Sequence, residues 1–156
     1  MEAVQMTKLI RAAFICAIYV VFTILPPFYA LAYGPIQVRV AEALTVLPFI
    51  YPEAIWGLAL GCLLANFAGN IGIYDVIFGS LLTLLAGYLT SRMPKAWLAP
   101  LPPIFLNAFG VSIYLAFILK IPYWYSVAYI MLGESIACFG IGYPLLHLLI
   151  KRKAGK

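Results

Sequence analysis

The sequence contains few charged residues for its length. Lys, Arg, Asp and Glu make up 10% of its 156 residues, whereas hydrophobic residues make up 65% and the mean hydropathy is +1.04. A soluble domain carries roughly 25% charged residues, so this composition excludes a soluble enzyme domain and a disordered tail. It indicates a membrane protein. Nucleic-acid binding is not expected either, because the net charge of +5 is spread along the chain.

The chain is equally poor in groups that perform catalysis or bind metals. It has one histidine, His147, and its three cysteines, Cys16, Cys62 and Cys138, are spaced for neither a metal site nor a disulfide framework. No nucleotide-binding loop and no HExxH or GxSxG motif is present. We therefore expect no cofactor, no metal and no enzymatic activity. If the protein drives uptake, a partner must hydrolyse the nucleotide.

Long uncharged segments are what the sequence has in abundance. A bilayer span needs about 20 apolar residues, and six such spans fit the length of this chain with short, proline-rich connections. The second apolar segment is too short to cross an average bilayer untilted, so it is expected to lie obliquely or partly embedded. The sequence predicts a single all-α membrane domain, residues 1–156, with a six-helix bundle at about 8–32, 38–51, 54–70, 73–92, 98–119 and 123–150.

Lys and Arg are distributed unequally between the two sides of a six-span topology. Eight fall on the side that holds both termini, and two, Arg39 and Lys120, fall on the other side. Positively charged loops stay in the cytoplasm, so both termini are predicted to be cytoplasmic.

Several polar residues fall within or at the ends of the predicted spans, where a charge costs roughly 2.5–3.5 kcal/mol. The predicted topology places them in the outer half of the bundle. We therefore expect a polar cavity that opens outward, with Glu134 and Asn107 toward its floor. The candidate binding residues are Arg39, Glu42, Asn70, Asp75, Asn107, Trp124 and Glu134.

Some of these candidates have an alternative structural role. Arg39 and Glu42 are three residues apart, so they can share a helix face and simply neutralise each other. Asp75 can cap the N-terminus of its helix, and Asn residues can bond neighbouring helices together. Glu134 has no residue nearby on its own helix with which to pair, which makes it the strongest candidate for a ligand contact.

Small residues recur at intervals of four along three of the predicted helices. Such stripes allow two helices to approach closely. For the third and fourth helices we expect packing within this chain, whereas for the first helix an intermolecular contact is equally expected. The stripes are Ala13 and Ala17; Gly57, Gly61, Ala65 and Gly69; and Gly79, Thr83 and Gly87.

One long motif resembles a known family. Residues 33–48, YGPIQVRVAEALTVLP, resemble the signature of the QueT family of substrate-binding (S) components of energy-coupling factor (ECF) transporters, and segments 75–81, 98–103 and 133–134 also fit. The resemblance covers nearly the whole chain. Val38 and Ala41 depart from it, since an aromatic residue and a serine are common there.

The resemblance implies a six-helix S-component fold in the cytoplasmic membrane of a bacterium. It implies three protein partners, a transmembrane coupling protein and two ATPase subunits, and a ligand that is a queuosine precursor, a 7-deazaguanine such as 7-aminomethyl-7-deazaguanine. In S components an AxxxA motif on the first helix packs on the coupling protein, and Ala13 and Ala17 match that motif.

The chemistry of such a ligand suits the candidate residues. A 7-deazaguanine offers N1–H and 2-amino donors side by side, which a carboxylate such as Glu134 can accept together. Asn107 and Asn70 are expected nearby, and Trp124 or a neighbouring tyrosine is expected to stack on the base. Glu42 or Asp75 would meet the aminomethyl cation or hold Arg39.

Three other interpretations remain open from the sequence alone. The first keeps the architecture and changes the ligand to another vitamin or purine-like compound. The second is an intramembrane enzyme acting on a lipid or isoprenoid, against which the scarcity of catalytic groups argues. The third is a structural subunit without a ligand, in which the buried polar residues pair only with protein groups.

Overall fold

The computed structural model describes residues 2–27, 39–69 and 72–155, and within these ranges the regular structure is entirely helical. Within these ranges six main helices follow one another, and a short 3-10 turn, Ala96–Leu98, precedes the fifth. We number the six helices α1 Glu2–Ile24, α2 Val40–Phe49, α3 Ala54–Ala68, α4 Asp75–Ser91, α5 Leu101–Leu119 and α6 Tyr123–Ala154.

The predicted helices are present, with differences at their ends. Helix α1 begins at Glu2 and not near residue 8, and its predicted end at residue 32 lies outside the described residues. Helix α6 continues to Ala154 and not to residue 150. The extension of α6 carries the basic residues Lys151, Arg152 and Lys153, which mark a membrane boundary without ending a helix, whereas the extension of α1 carries none. In the last turn of α6, cations are also favoured by the helix dipole.

Three helical segments are long and apolar enough to cross a bilayer by length and composition: Glu2–Ile24, Ala96–Ile118 and Tyr123–Ala154. Helices α2, α3 and α4 are apolar but shorter. The helix count thus agrees with the predicted bundle, while six crossings and cytoplasmic termini stay predictions. The surface is suited to contact with lipid, because large apolar side chains such as Phe67 and Phe117 are 73% and 76% exposed.

Helix α1 packs closely on α3 through glycines. A Cβ atom on Gly57 would collide with the carbonyl oxygen of Ala12, and one on Gly61 would lie 2.9 Å from Cβ of Tyr19. At Gly87 on α4, a Cβ would lie 3.5 Å from Ile55. These contacts confirm that small residues on α3 and α4 serve packing within the chain.

Helix α2 lies in the middle of the bundle and is wound as a 3-10 helix. Residues 41–48 are all buried, and Glu42 is among them. Helix α6 approaches α2 so closely that a Cβ atom on Gly142 would lie 2.6 Å from the carbonyl oxygen of Ala43. The predicted short second helix is therefore a buried central element, contacted by α1, α4 and α6.

Two helices contain a wider, π-helical segment. One is Asp75–Gly79 at the start of α4, and the other is Ile136–Gly142 in the middle of α6. The second lies directly before Pro144, which has no N–H to donate to a carbonyl in the preceding turn. The sequence predicts a kink at this proline, and the structure has the π-helical segment there. Such segments frequently occur at functional sites.

An ion pair joins α1 to the start of α3. Arg11 donates to the carboxylate of Glu53, and its guanidinium lies 4.1 Å from the centre of the Tyr51 ring. Glu53 is at the N-cap position of α3 but makes no side-chain capping bond. Glu53 therefore binds a neighbouring helix and forms no capping bond to its own.

Candidate functional site

Two buried carboxylates form the centre of the site. Glu42 on α2 is 2% exposed, and Glu134 on α6 is 5% exposed. The close approach of α2 and α6 at Gly142 brings their backbones together. An acidic side chain is rarely buried without a partner, because an unpaired charge away from water is expensive. The contacts of these two residues therefore define what the site can bind.

Glu134 has two partners among the described residues. The side-chain amide of Asn107 on α5 donates to Oε1 at 3.0 Å, and the thiol of Cys138 lies 3.7 Å from Oε2. Asn107 is itself buried. Asn107 and Glu134 thus bond across two helices.

Glu42 uses only part of its hydrogen-bonding capacity within the described ranges. The hydroxyl of Tyr19 on α1 donates to Oε1, whereas Oε2 is buried and has no partner there. The backbone carbonyl of Glu42 accepts from the Thr45 hydroxyl at 2.6 Å and from the Cys138 thiol at 3.4 Å. The residue is therefore fixed in place while one carboxylate oxygen remains an available acceptor.

A second set of hydrogen bonds crosses from α2 to α5. Arg39 Nη1 donates to Asn66 Oδ1 at 3.4 Å, and Asn66 Nδ2 donates to the backbone carbonyl of Asp75 at 2.9 Å. The Tyr114 hydroxyl donates to Asp75 Oδ1 at 2.6 Å. These bonds hold α2, α3, α4 and α5 around one side of the site.

The two carboxylates face a small cavity. Its free space is about 20 Å³, which is room for one water molecule and far below the roughly 300–1,000 Å³ of a small-molecule pocket. A larger ligand needs the surrounding side chains to move apart. The cavity is lined by Arg39, Glu42, Gly79, Thr83, Asn107, Val111, Tyr114, Ile130 and Glu134.

The structure brings together four of the seven candidate binding residues, since Arg39, Glu42, Asn107 and Glu134 all line the cavity. Asp75 lies one contact away, behind Tyr114. It does not cap its helix, because the chain is already helical at residue 73.

Of the other two candidates, Trp124 does not line the cavity. Trp124 is 72% exposed, and its ring packs against that of Tyr123 with centroids 5.1 Å apart. Asn70 lies outside the described residues.

Several residues at the site were not predicted from the sequence. Tyr19 and Cys138 contact the carboxylates directly, and Tyr114 lines the cavity. A signal for Tyr19 exists in hindsight, because it lies four residues from both Ile15 and Thr23 on the buried face of α1. For Tyr114 and Cys138 the sequence offers none.

Ala13 and Ala17 lie on the opposite face of α1, away from the cavity. Both are exposed, and they line an open apolar groove of about 580 Å³ between α1 and α3. Trp56, 65% exposed, forms part of the other wall. The intermolecular contact predicted for this motif therefore has an accessible surface.

The bond between Tyr114 and Asp75 gives a first testable expectation. Tyr114→Phe removes the donor and leaves a half-buried carboxylate oxygen without it, so the free energy of unfolding should fall by about 1–3 kcal/mol. Thermal unfolding in detergent measures this loss. Tyr88→Phe is the matched control, because Tyr88 is 48% exposed. Equal stability of the two variants would contradict the contribution of this bond.

Comparisons with known proteins identify the family of the chain. The family model described as QueT transporter matches residues 9–151. The chain is 30% identical, over 92% of its own length and 92% of the relative's, to a protein of Lactococcus lactis subsp. cremoris (strain MG1363) named Queuosine precursor transporter QueT. No solved structure matches the chain. The chain therefore belongs to the QueT transporter family, which makes it a transporter and not an enzyme.

Proposed function

We propose that this protein is the substrate-binding S component of an ECF-type importer and takes up a queuosine precursor, a 7-deazaguanine such as 7-aminomethyl-7-deazaguanine. The observation that carries the proposal is the buried oxygen Oε2 of Glu42, which has no hydrogen-bond partner among the described residues and lies beside a second buried carboxylate in the same cavity. Two carboxylates and one guanidinium give this cavity an excess of hydrogen-bond acceptors. A ligand rich in N–H donors and carrying a positive charge complements them.

Each part of the ligand has a candidate partner in the cavity. Glu134 accepts from N1–H and the 2-amino group of the base, in exchange for its bond with Asn107. The amide of Asn107, so released, donates to O6. The aminomethyl ammonium group binds Oε2 of Glu42. Tyr114, which lines the cavity, takes the stacking role that the sequence suggested for Trp124.

The affinity of such a complex is physically attainable. The ligand has about 13 heavy atoms, and nanomolar binding needs about 12 kcal/mol, just under 1 kcal/mol per atom and below the ceiling of about 1.5. Binding of this strength requires that nearly every polar group be paired. The cavity must also widen, and the free energy of that opening is subtracted from the free energy of the ligand's own interactions.

The partners and location follow from the same proposal. The protein lies in the cytoplasmic membrane of a bacterium as a multi-pass protein, and it works with a transmembrane coupling protein and two ATPase subunits. The exposed groove around Ala13 and Ala17 supports α1 as the surface that meets the coupling protein. Small residues there allow a partner helix to approach closely.

Calorimetric titration of the purified chain in detergent tests the ligand assignment. We expect one-to-one binding of 7-aminomethyl-7-deazaguanine without any partner subunit, and no binding of guanine or riboflavin at the same concentrations. Tight binding of riboflavin, thiamine or folate would support the alternative, an S component for another vitamin or purine-like compound. A folded sample that binds none of these compounds would contradict the proposal.

A further inference from the structure

Among the described residues of α1, Tyr19 is the one whose side chain forms a hydrogen bond with a carboxylate of the cavity. It lies on the buried face of the helix with Ile15 and Thr23, and it is 0% exposed. The hydroxyl of Thr23 donates to the Tyr19 backbone carbonyl at 2.8 Å, so the backbone here is also held.

The ring of Tyr19 has little freedom to move. Gly61 of α3 lies against it, since a Cβ atom added there would be 2.9 Å from Cβ of Tyr19 and 3.2 Å from Cγ. Because Gly61 has no side chain, the Tyr19 ring has room to pass α3 and reach α2. A fixed ring holds its hydroxyl at a fixed point, and the hydroxyl donates to Oε1 of Glu42.

The bond settles which carboxylate oxygen a ligand can use. With Oε1 bound to Tyr19, the buried Oε2 remains without a partner among the described residues, and Glu42 lines the cavity. Without the hydroxyl the Glu42 side chain could rotate about its last bond, and neither oxygen would be oriented. Orientation before binding matters because it removes the ordering cost from the binding step.

We propose that Tyr19 is a positioning residue for substrate selection: from α1 it orients the Glu42 carboxylate so that Oε2 receives the positively charged group of the ligand. The inference rests on the proposed function. It has a structural consequence, because α1 also carries Ala13 and Ala17 on its opposite face. The helix that presents the exposed groove is thereby bonded to the ligand-binding carboxylate.

The test is a double-mutant cycle measured with two ligands. Tyr19→Phe, Glu42→Gln, the double variant and the unmodified protein are titrated with 7-aminomethyl-7-deazaguanine and with 7-cyano-7-deazaguanine, which has no ammonium group. We expect Tyr19→Phe to raise Kd for the aminomethyl compound roughly tenfold, as loss of a hydrogen bond to a charged group does, and to change Kd for the cyano compound less than about threefold. In the Glu42→Gln background, Tyr19→Phe should have no further effect.

A purely structural role gives a different pattern. Equal weakening of both ligands, or effects of the two substitutions that simply add, would overturn the proposal. Ser112→Ala is the control. It removes a buried hydroxyl that has no hydrogen-bond partner among the described residues and does not line the cavity. Should Tyr19→Phe fold poorly, normal folding of the double variant would support the coupling of Tyr19 to the Glu42 carboxylate, and equally poor folding of the double variant would overturn it.

A wrong ligand assignment can be distinguished from a wrong role for Tyr19. If the unmodified protein binds neither ligand, the ligand assignment is wrong, and thermal unfolding of the same four proteins then decides on Tyr19. A lower Tm on Tyr19→Phe in the unmodified background, but not in the Glu42→Gln background, would support orientation of Glu42 by Tyr19. Equal losses in both backgrounds would overturn it.

Discussion

Glu134→Gln is expected to raise the dissociation constant for 7-aminomethyl-7-deazaguanine roughly ten- to hundredfold. A hydrogen bond to a charged group contributes about 1.5–3 kcal/mol, and each 1.4 kcal/mol is a factor of ten. The glutamine keeps the size of the side chain but replaces one acceptor oxygen with a donor, which opposes the 2-amino group or N1–H of the base. The same substitution leaves an oxygen to accept from Asn107, so the loss should appear in binding more than in folding.

A matched control separates this effect from a general change of charge. Glu53→Gln makes the same chemical change at a carboxylate that binds Arg11 and does not line the cavity. We expect its dissociation constant to equal that of the unmodified protein. Calorimetric titration of the three proteins, with Tm measured for each, is the experiment. An unchanged dissociation constant for Glu134→Gln would remove Glu134 from the binding site.

Gly142→Ala should lower the stability of the bundle. The new Cβ atom would lie 2.6 Å from the carbonyl oxygen of Ala43 and 3.2 Å from Cγ1 of Val46, and a backbone oxygen cannot rotate away. The helices must separate instead, at a cost of typically 1–3 kcal/mol. Alanine gains up to about 1 kcal/mol in helix propensity over glycine, which offsets only part of this. Because Glu42 adjoins Ala43, ligand binding should weaken as well.

The control for this prediction lies two residues away. Gly140 belongs to the same π-helical segment, but a Cβ atom there would meet nothing within 4 Å. Gly140→Ala should therefore leave the Tm unchanged or raise it slightly through helix propensity. Thermal unfolding in detergent compares the two variants. If Gly142→Ala melts at the same temperature as Gly140→Ala, the close approach of α2 and α6 is wrong.

The sequence predicted the features that depend on whether a residue favours lipid or polar surroundings. Uncharged runs bounded by Lys, Arg and proline defined the helices, because charges and interrupted backbones are excluded from lipid. The same reasoning singled out Arg39, Glu42, Asn107 and Glu134, since a polar group in an apolar span must face something polar. These four line one cavity.

Features that depend on packing were not predictable from the sequence. Tyrosine is found in the core and at the membrane interface alike, so the residue type alone did not distinguish Tyr114 from the exposed Trp124. Trp124 is ten residues before Glu134, so at 3.6 residues per turn its position differs from that of Glu134 by about 80° around the helix axis. The 3-10 winding of α2 likewise had no signal in the sequence.

The small volume of the cavity also governs the kinetics of capture. A space of about 20 Å³ admits no base, so each binding event must wait for the helices to part, and encounters that arrive between openings are unproductive. Association is then slower than for a preformed pocket. Dissociation is slow for the same reason, because a bound molecule is enclosed until the helices next open. On the proposed function, the substrate is therefore captured slowly and released slowly.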